Sequence, residues 1–229
     1  MKIPYLRTAA VVMLLQAVPA PAQEHAPVPL TVPVVGDAWS YQYTDVWKGV
    51  KGNINQVLVT AVDQDGVNLD IRRAASGALL TRQRMTLEMN PVDRGKMHFA
   101  PAFVRYAFPL EPGKTWQAKA SGENASAGKR WRYTIEGKVE GWDKIKVPAG
   151  EFDALKVVVI AYYQGEETGS RGGSGQLRET LWFAPEVNNF VKLDYHDTDW
   201  NGSTYNRDSW ELTAYARKPI ATQAAQAAR

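Results

Sequence analysis

From Trp39 to about Arg217, large apolar side chains recur at every second position, the period of a strand with one covered face. In the first such stretch Trp39, Tyr41, Tyr43 and Trp47 share one parity, while Ser40, Gln42 and Thr44 share the other. Ile54 to Val62 continues as a second strand and Val67 to Arg73 as a third, joined through Asp63-Gln64-Asp65-Gly66, a polar turn with glycine where a positive φ is commonly needed. Ala74 to Gly77 then leads into Leu79 to Glu88. Short turns between alternating segments describe an antiparallel meander.

The region Leu87 to Pro112 breaks this rhythm with Asn90-Pro91, Arg94-Gly95, Pro101 and Pro109. Proline is excluded from central strands, so Phe99 to Phe108 reads as a covering segment or an edge strand. Thr115 to Lys119 follows the turn Glu111–Lys114, and Gly122 to Gly128 reads as a polar loop. Beyond it, Lys129 to Trp142 sets Trp131, Tyr133, Ile135 and Val139 against Arg130, Arg132, Glu136 and Lys138. Phe152 to Tyr163, Leu177 to Phe183, Phe190 to Tyr195 and Thr204 to Arg217 complete the set, with Gly169 to Gly175 as a hairpin tip. Roughly ten strands and few helices predict an all-β fold: a curved antiparallel sheet, an open barrel or a sandwich. No fixed-length repeat points to a propeller or solenoid.

The two ends differ from this body. Lys2 and Arg7 precede an apolar run, Thr8 to Val18, and Ala20-Pro21-Ala22 offers the small residues of a cleavage site, so residues 1–22 read as a signal peptide. The run is far short of the ~20 residues of a membrane-spanning helix, and no transmembrane segment is expected in the mature chain. The expected location is periplasmic or secreted. Residues 23–33 read as an extended arm, 34–218 as a single β domain and 219–229 as a peripheral tail.

Composition sharpens this picture at two points. The chain has no cysteine, which excludes disulfides, thiol catalysis and a lipid-modified N-terminal cysteine, and leaves stability to the core. The formal charge of +3 includes Lys2 and Arg7; without that acid-free segment 25 basic residues face 24 acidic ones, a balance of +1. No basic stripe appears, so nucleic acid is not an expected partner.

At Val147-Pro148-Ala149-Gly150-Glu151-Phe152-Asp153-Ala154-Leu155-Lys156-Val157, and again at Leu181-Trp182-Phe183-Ala184-Pro185 followed by Phe190-Val191-Lys192-Leu193, the chain resembles the TapB-like exported bacterial proteins, a group of unknown function. Gly36-Asp37-Ala38-Trp39-Ser40-Tyr41 and Pro109 to Trp116 fit the same scheme. The resemblance spans about Gly36 to Leu193 and implies a periplasmic or cell-surface antiparallel β-fold with no catalytic residues. Where the pattern usually has aromatic-Ala-Pro-Gly, this chain has Pro185-Glu186-Val187-Asn188-Asn189.

Catalytic and metal signatures are absent, and no cofactor is expected. Of three histidines, His25 lies in the arm, and neither His98 nor His196 accompanies a nucleophile elbow. The densest polar cluster, Asp194-Tyr195-His196-Asp197-Thr198-Asp199, would serve a hydrolase through Asp194, His196 and Asp199, yet alternation splits it between two faces. Asp63 to Asp70 lacks the ligands of a calcium loop, and Gly122 to Lys129 has the wrong glycine spacing for a phosphate loop.

Aromatic residues are the stronger signal, with 8 tryptophans and 10 tyrosines. They fill a core or line a groove for an amphipathic guest. Trp182 shares its parity with Arg178 and Thr180, and Trp200 and Trp210 share theirs with Asn206 and Asp208. Trp182, Trp200, Trp210, Tyr205 and Arg178 are therefore the expected ligand-binding residues. The leading functional expectation is a non-enzymatic protein that carries a lipid or other amphipathic small molecule. A structural or interaction module that binds another envelope protein is the alternative, and a hydrolase the third reading.

Overall fold

The structure, a computed structural model, describes residues 25–166 and 173–218. Residues 1–22, read as a signal peptide, and the tail from 219 lie outside the described residues, as does most of the expected tip at Gly169 to Gly175. Twelve strands form one closed antiparallel barrel in which each strand pairs with its sequence neighbours and the last pairs with the first. They are β1 (Ala38–Asp45), β2 (Val50–Asp63), β3 (Gly66–Arg73), β4 (Leu79–Met85), β5 (Pro91–Arg94) and β6 (Met97–Ala100). The second half adds β7 (Thr115–Asn124), β8 (Lys129–Val147), β9 (Gly150–Gly165), β10 (Ser174–Ala184), β11 (Asn189–Asp199) and β12 (Thr204–Ala216). One short 3-10 turn, Ala125–Ala127, interrupts the strands.

The sheet is all-β as the alternation requires, but it is closed, with Ala38 opposite Ala216 and Asp45 opposite Asp208. Closure removes the free edges that an open sheet would expose. The two strands beyond the expected ten are β5 and β6, four residues each, tucked between the prolines of the middle region. Trp47, expected to share the face of Trp39, instead stands in the β1–β2 turn and is 61% exposed. Gly122–Asn124, expected in a loop, ends β7 and pairs with β8.

Inward positions follow the parity of each strand. Leu177, Leu181 and Phe183 of β10, Val191 and Leu193 of β11, and Leu155, Val157 and Val159 of β9 are buried. The outward parity of β8 carries Arg130, Arg132, Glu136 and Lys138, all exposed. The barrel therefore presents a charged outer wall and an apolar interior.

The segment between β6 and β7 fills that interior rather than capping it or adding an edge strand. Phe103, Arg105 and Tyr106 are buried. Phe103 packs edge-on to Tyr133 of β8, and Tyr106 edge-on to Phe183 of β10. A chain buried without strand partners needs other hydrogen bonds for its backbone. Asn90 supplies them: its Oδ1 accepts from the Arg105 and Tyr106 N–H groups, and its Nδ2 donates to the Tyr106 carbonyl. Phe103 N–H reaches the Pro91 carbonyl at 2.9 Å.

One end of the barrel is shut. Val28 of the arm exchanges backbone hydrogen bonds with Leu110, and Asp37 accepts from Val34 N–H and Lys218 N–H, tying both ends of the folded chain together. Trp39 is fully buried there and donates through Nε1 to the Val187 carbonyl. The β10–β11 turn at this end needs a left-handed residue; Asn188 provides it at φ 56°, in place of the glycine the sequence pattern lacks.

Candidate ligand site

At the centre of the interior lies an ion triad. Glu179 of β10 shares the inward parity of Leu177 and Leu181 and is fully buried. Arg105 of the internal segment grips it twice, Nε to Oε2 at 2.7 Å and Nη2 to Oε1 at 2.8 Å. Arg94, the last residue of β5, adds Nη1 to Oε1 at 2.7 Å. Burial alone would push the Glu179 carboxyl up, but the charges and hydrogen bonds of Arg105 and Arg94 outweigh it and bring the pKa down to about 2. The triad carries two cations against one anion.

Beside it is a cavity of about 170 Å³. Its apolar wall comes from Val57, Leu69, Ile71, Met85, Leu193 and Trp210; its polar groups include Arg94, Arg105, Tyr106 and Asn55. Two of these polar groups have no partner: the Tyr106 hydroxyl and Asn55 Oδ1 are buried without a hydrogen bond. Arg94 is 32% exposed at its side chain and spends one N–H on Glu179. Its guanidinium lies 5.9 Å from the ring centre of Tyr195.

A second inward polar group sits higher on β11. Asp197 accepts from the Tyr163 hydroxyl at 2.8 Å and lies 3.4 Å from the Tyr195 hydroxyl. Burial raises its pKa, and those two hydrogen bonds oppose the shift only in part.

The five residues singled out from the sequence do not come together. Trp210 lines the cavity. Trp182 lies on the outer face, donates to Asp143 at 3.0 Å, and has the Lys192 ammonium 5.4 Å from its ring centre. Arg178 is exposed on the same outward parity of β10. Trp200, 79% exposed, is in the β11–β12 turn, and Tyr205 is exposed at the start of β12. Sequence reasoning missed Glu179, Arg105, Arg94 and Tyr106. A signal was present: Glu179 is the one charged residue on the apolar parity of β10.

The Asp194/His196/Asp199 cluster has separate occupations. Asp194 accepts from Ser209, His196 bonds Thr204 through Nε2 at 3.0 Å, and Asp199 caps its own turn by accepting from Asn201 and Ser203 N–H groups. Among the described residues no hydrogen bond joins the three, and no group of three potential metal ligands occurs.

No protein-family model matches the chain, and no curated protein does. Solved structures do resemble it. A protein of Parabacteroides distasonis ATCC 8503 named as a lipoprotein superposes with a TM-score of 0.55 at 13% identity, over 84% of this chain and 100% of that one. A protein of Bacteroides fragilis NCTC 9343, named as exported and as having a YmcC-like fold, gives 0.50 at 13% identity over 83% and 100%. At these identities the likeness is one of fold: the chain shares the β-architecture of these two proteins.

Proposed function

We propose that this is an exported, non-enzymatic binding protein that holds part of a small amphipathic molecule inside its barrel. The hollow beside Arg94 and Tyr106 carries the reading. Native interiors are packed to crystal density and leave few voids. A dry cavity of about 150 Å³ accommodates a benzene ring, so the 170 Å³ here suits one ring or a short chain. A diacyl lipid does not fit. The charged outer wall supports a water-facing barrel, since lysine and arginine on a lipid-facing wall cost about 2–4 kcal/mol each at the midplane. The signal peptide expected at residues 1–22, the TapB-like resemblance and the names of the two structural neighbours support a periplasmic or secreted location.

Native mass spectrometry of gently purified protein, with organic extraction, tests for a retained guest. Saturation with toluene tests the hollow directly: a ligand bound only by the folded state raises the unfolding midpoint. Ile71→Trp, which fills the apolar wall, is expected to abolish that rise. An empty extract together with no toluene-dependent shift in the wild type refutes the proposal.

A second reading has its own observation. The β1–β2 tip bonds β12 through Val46 and Trp47 N–H to the Arg207 carbonyl, which brings exposed Trp47 beside the strand that carries exposed Tyr205 and follows Trp200. An aromatic rim of this kind favours contact with an envelope protein. Crosslinking at Trp47 and Trp200 in an envelope extract, followed by identification of a reproducible partner, decides it.

A further inference from the structure

Resting on the carrier reading, we infer that the cavity selects a monoanionic guest, a carboxylate attached to a ring or short chain, with Arg94 and Tyr106 binding the carboxylate. The lining contains two arginines and no acid, and among the described residues the only carboxylate joined to them, Glu179, supplies one negative charge for two positive ones. Arg94, 32% exposed, is only partly hydrated, and an anion placed beside it offsets the excess positive charge.

The donors of the lining point the same way. Arg105 is committed to Glu179 through two nitrogens. Arg94 uses only Nη1 there, and a guanidinium has five N–H groups in a planar fork that matches a carboxylate. The Tyr106 hydroxyl is buried and bonds nothing, and its residue is among those that line the hollow, so it is a donor without an acceptor next to the proposed guest. A neutral hydrocarbon would offer neither group an acceptor. A carboxylate satisfies both, while Val57, Leu69 and Ile71 cover the apolar remainder of the guest. The size of the hollow limits that remainder to about one ring.

Calorimetric titration at pH 7 with benzoate and with benzamide, its neutral near-isostere, tests the assignment, with toluene as the reference for the hollow itself. The wild type is expected to bind benzoate at least about tenfold more tightly than benzamide, the scale of a charge-assisted hydrogen bond. Arg94→Gln is expected to bring that ratio within about twofold. Arg94→Lys, which keeps the charge and loses the fork, should fall between. Tyr106→Phe removes one hydroxyl and little volume; it should weaken benzoate several-fold, and it stands in should Arg94→Gln fail to fold by circular dichroism. A wild type that binds toluene without preferring benzoate overturns the anion assignment and leaves the carrier reading intact. The same holds for a preference that survives both Arg94→Gln and Tyr106→Phe. Binding of neither toluene nor benzoate removes both.

Discussion

Replacing Glu179 by glutamine tests the electrostatic centre of the fold. The change keeps size and shape and removes the anion that pairs with the Arg105 and Arg94 guanidinium groups. Two independent routes give the magnitude. Breaking a buried pair from one side leaves an uncompensated charge, at a cost of about 3–5 kcal/mol. By linkage, a carboxyl whose pKa moves from 4.5 in the unfolded chain to about 2 in the folded one contributes roughly 3 kcal/mol, at about 1.36 kcal/mol per pH unit. The routes agree on about 3 kcal/mol, a large share of the ~5–15 kcal/mol that stabilises a domain. For a chain of this size the melting midpoint should fall by about 10 °C.

The sign of the pH dependence follows from the direction of the shift. A folded pKa below the unfolded one means that the contribution is complete above about pH 4.5 and erodes as pH falls toward about 2. Urea unfolding of wild type and Glu179→Gln at pH 6 and pH 2.5 reads both effects. The gap between the two proteins should be about 3 kcal/mol at pH 6 and should shrink strongly at pH 2.5. The double variant Glu179→Leu with Arg105→Met, which removes both partners of the buried bidentate pair, should recover much of the loss. A Glu179→Gln variant within 1 kcal/mol of wild type at pH 6, with a parallel acid profile, would refute the reasoning.

Three further outcomes are expected. Gly137→Ala would place its methyl group inside the indole of Trp116, so it should lose about 1–3 kcal/mol in urea unfolding, with partial rescue by Trp116→Leu. Asn90→Ala orphans the Arg105 and Tyr106 N–H groups and the Tyr106 carbonyl; a loss of about 3 kcal/mol is expected, with faster amide exchange at Arg105 and Tyr106 than elsewhere in the interior. Asp197 has a folded pKa raised by burial, so its contribution is favourable at low pH and is lost as pH rises through that pKa. Asp197→Asn should therefore be at least as stable as wild type at pH 7, with its advantage disappearing on acidification in the same urea assay.

The alternation of large and polar residues was enough to read most strands, because a barrel with a wet outside and a dry inside imposes period two on every one of them. Lys129 to Trp142 shows this clearly: Tyr133, Ile135 and Val139 are buried, and Arg130, Arg132 and Glu136 are exposed. Closure was not legible, since it depends on Trp39 pairing with Tyr215 across almost the whole chain. The site was legible only in part. Polar neighbours on the parity of Trp182 suggest a groove, yet on a closed barrel a polar parity is the solvent side. The informative residue was the exception on the dry parity, Glu179, whose bidentate partner Arg105 lies 74 residues away in a segment with no period. Local pattern does not encode such a pairing.

The irregular middle of the chain follows from the size of the barrel. Interior width grows with strand number, and about eight strands already leave a space that inward side chains just fill. Twelve strands leave more. Side chains from the wall cannot reach across it, so extra chain must enter, and chain inside a barrel cannot pair as a strand. The segment between Pro101 and Pro109 meets that demand with Phe103, Tyr106 and Phe108 as filling and Asn90 as the partner of its backbone. Arg105 then needs a buried anion, which fixes Glu179 on the wall it meets. A plug made of one segment fills imperfectly, and the hollow beside Arg94 is the space it leaves. The hollow and the proline-rich interruption thus have one cause, and shortening the segment should enlarge the hollow rather than simply unfold the barrel.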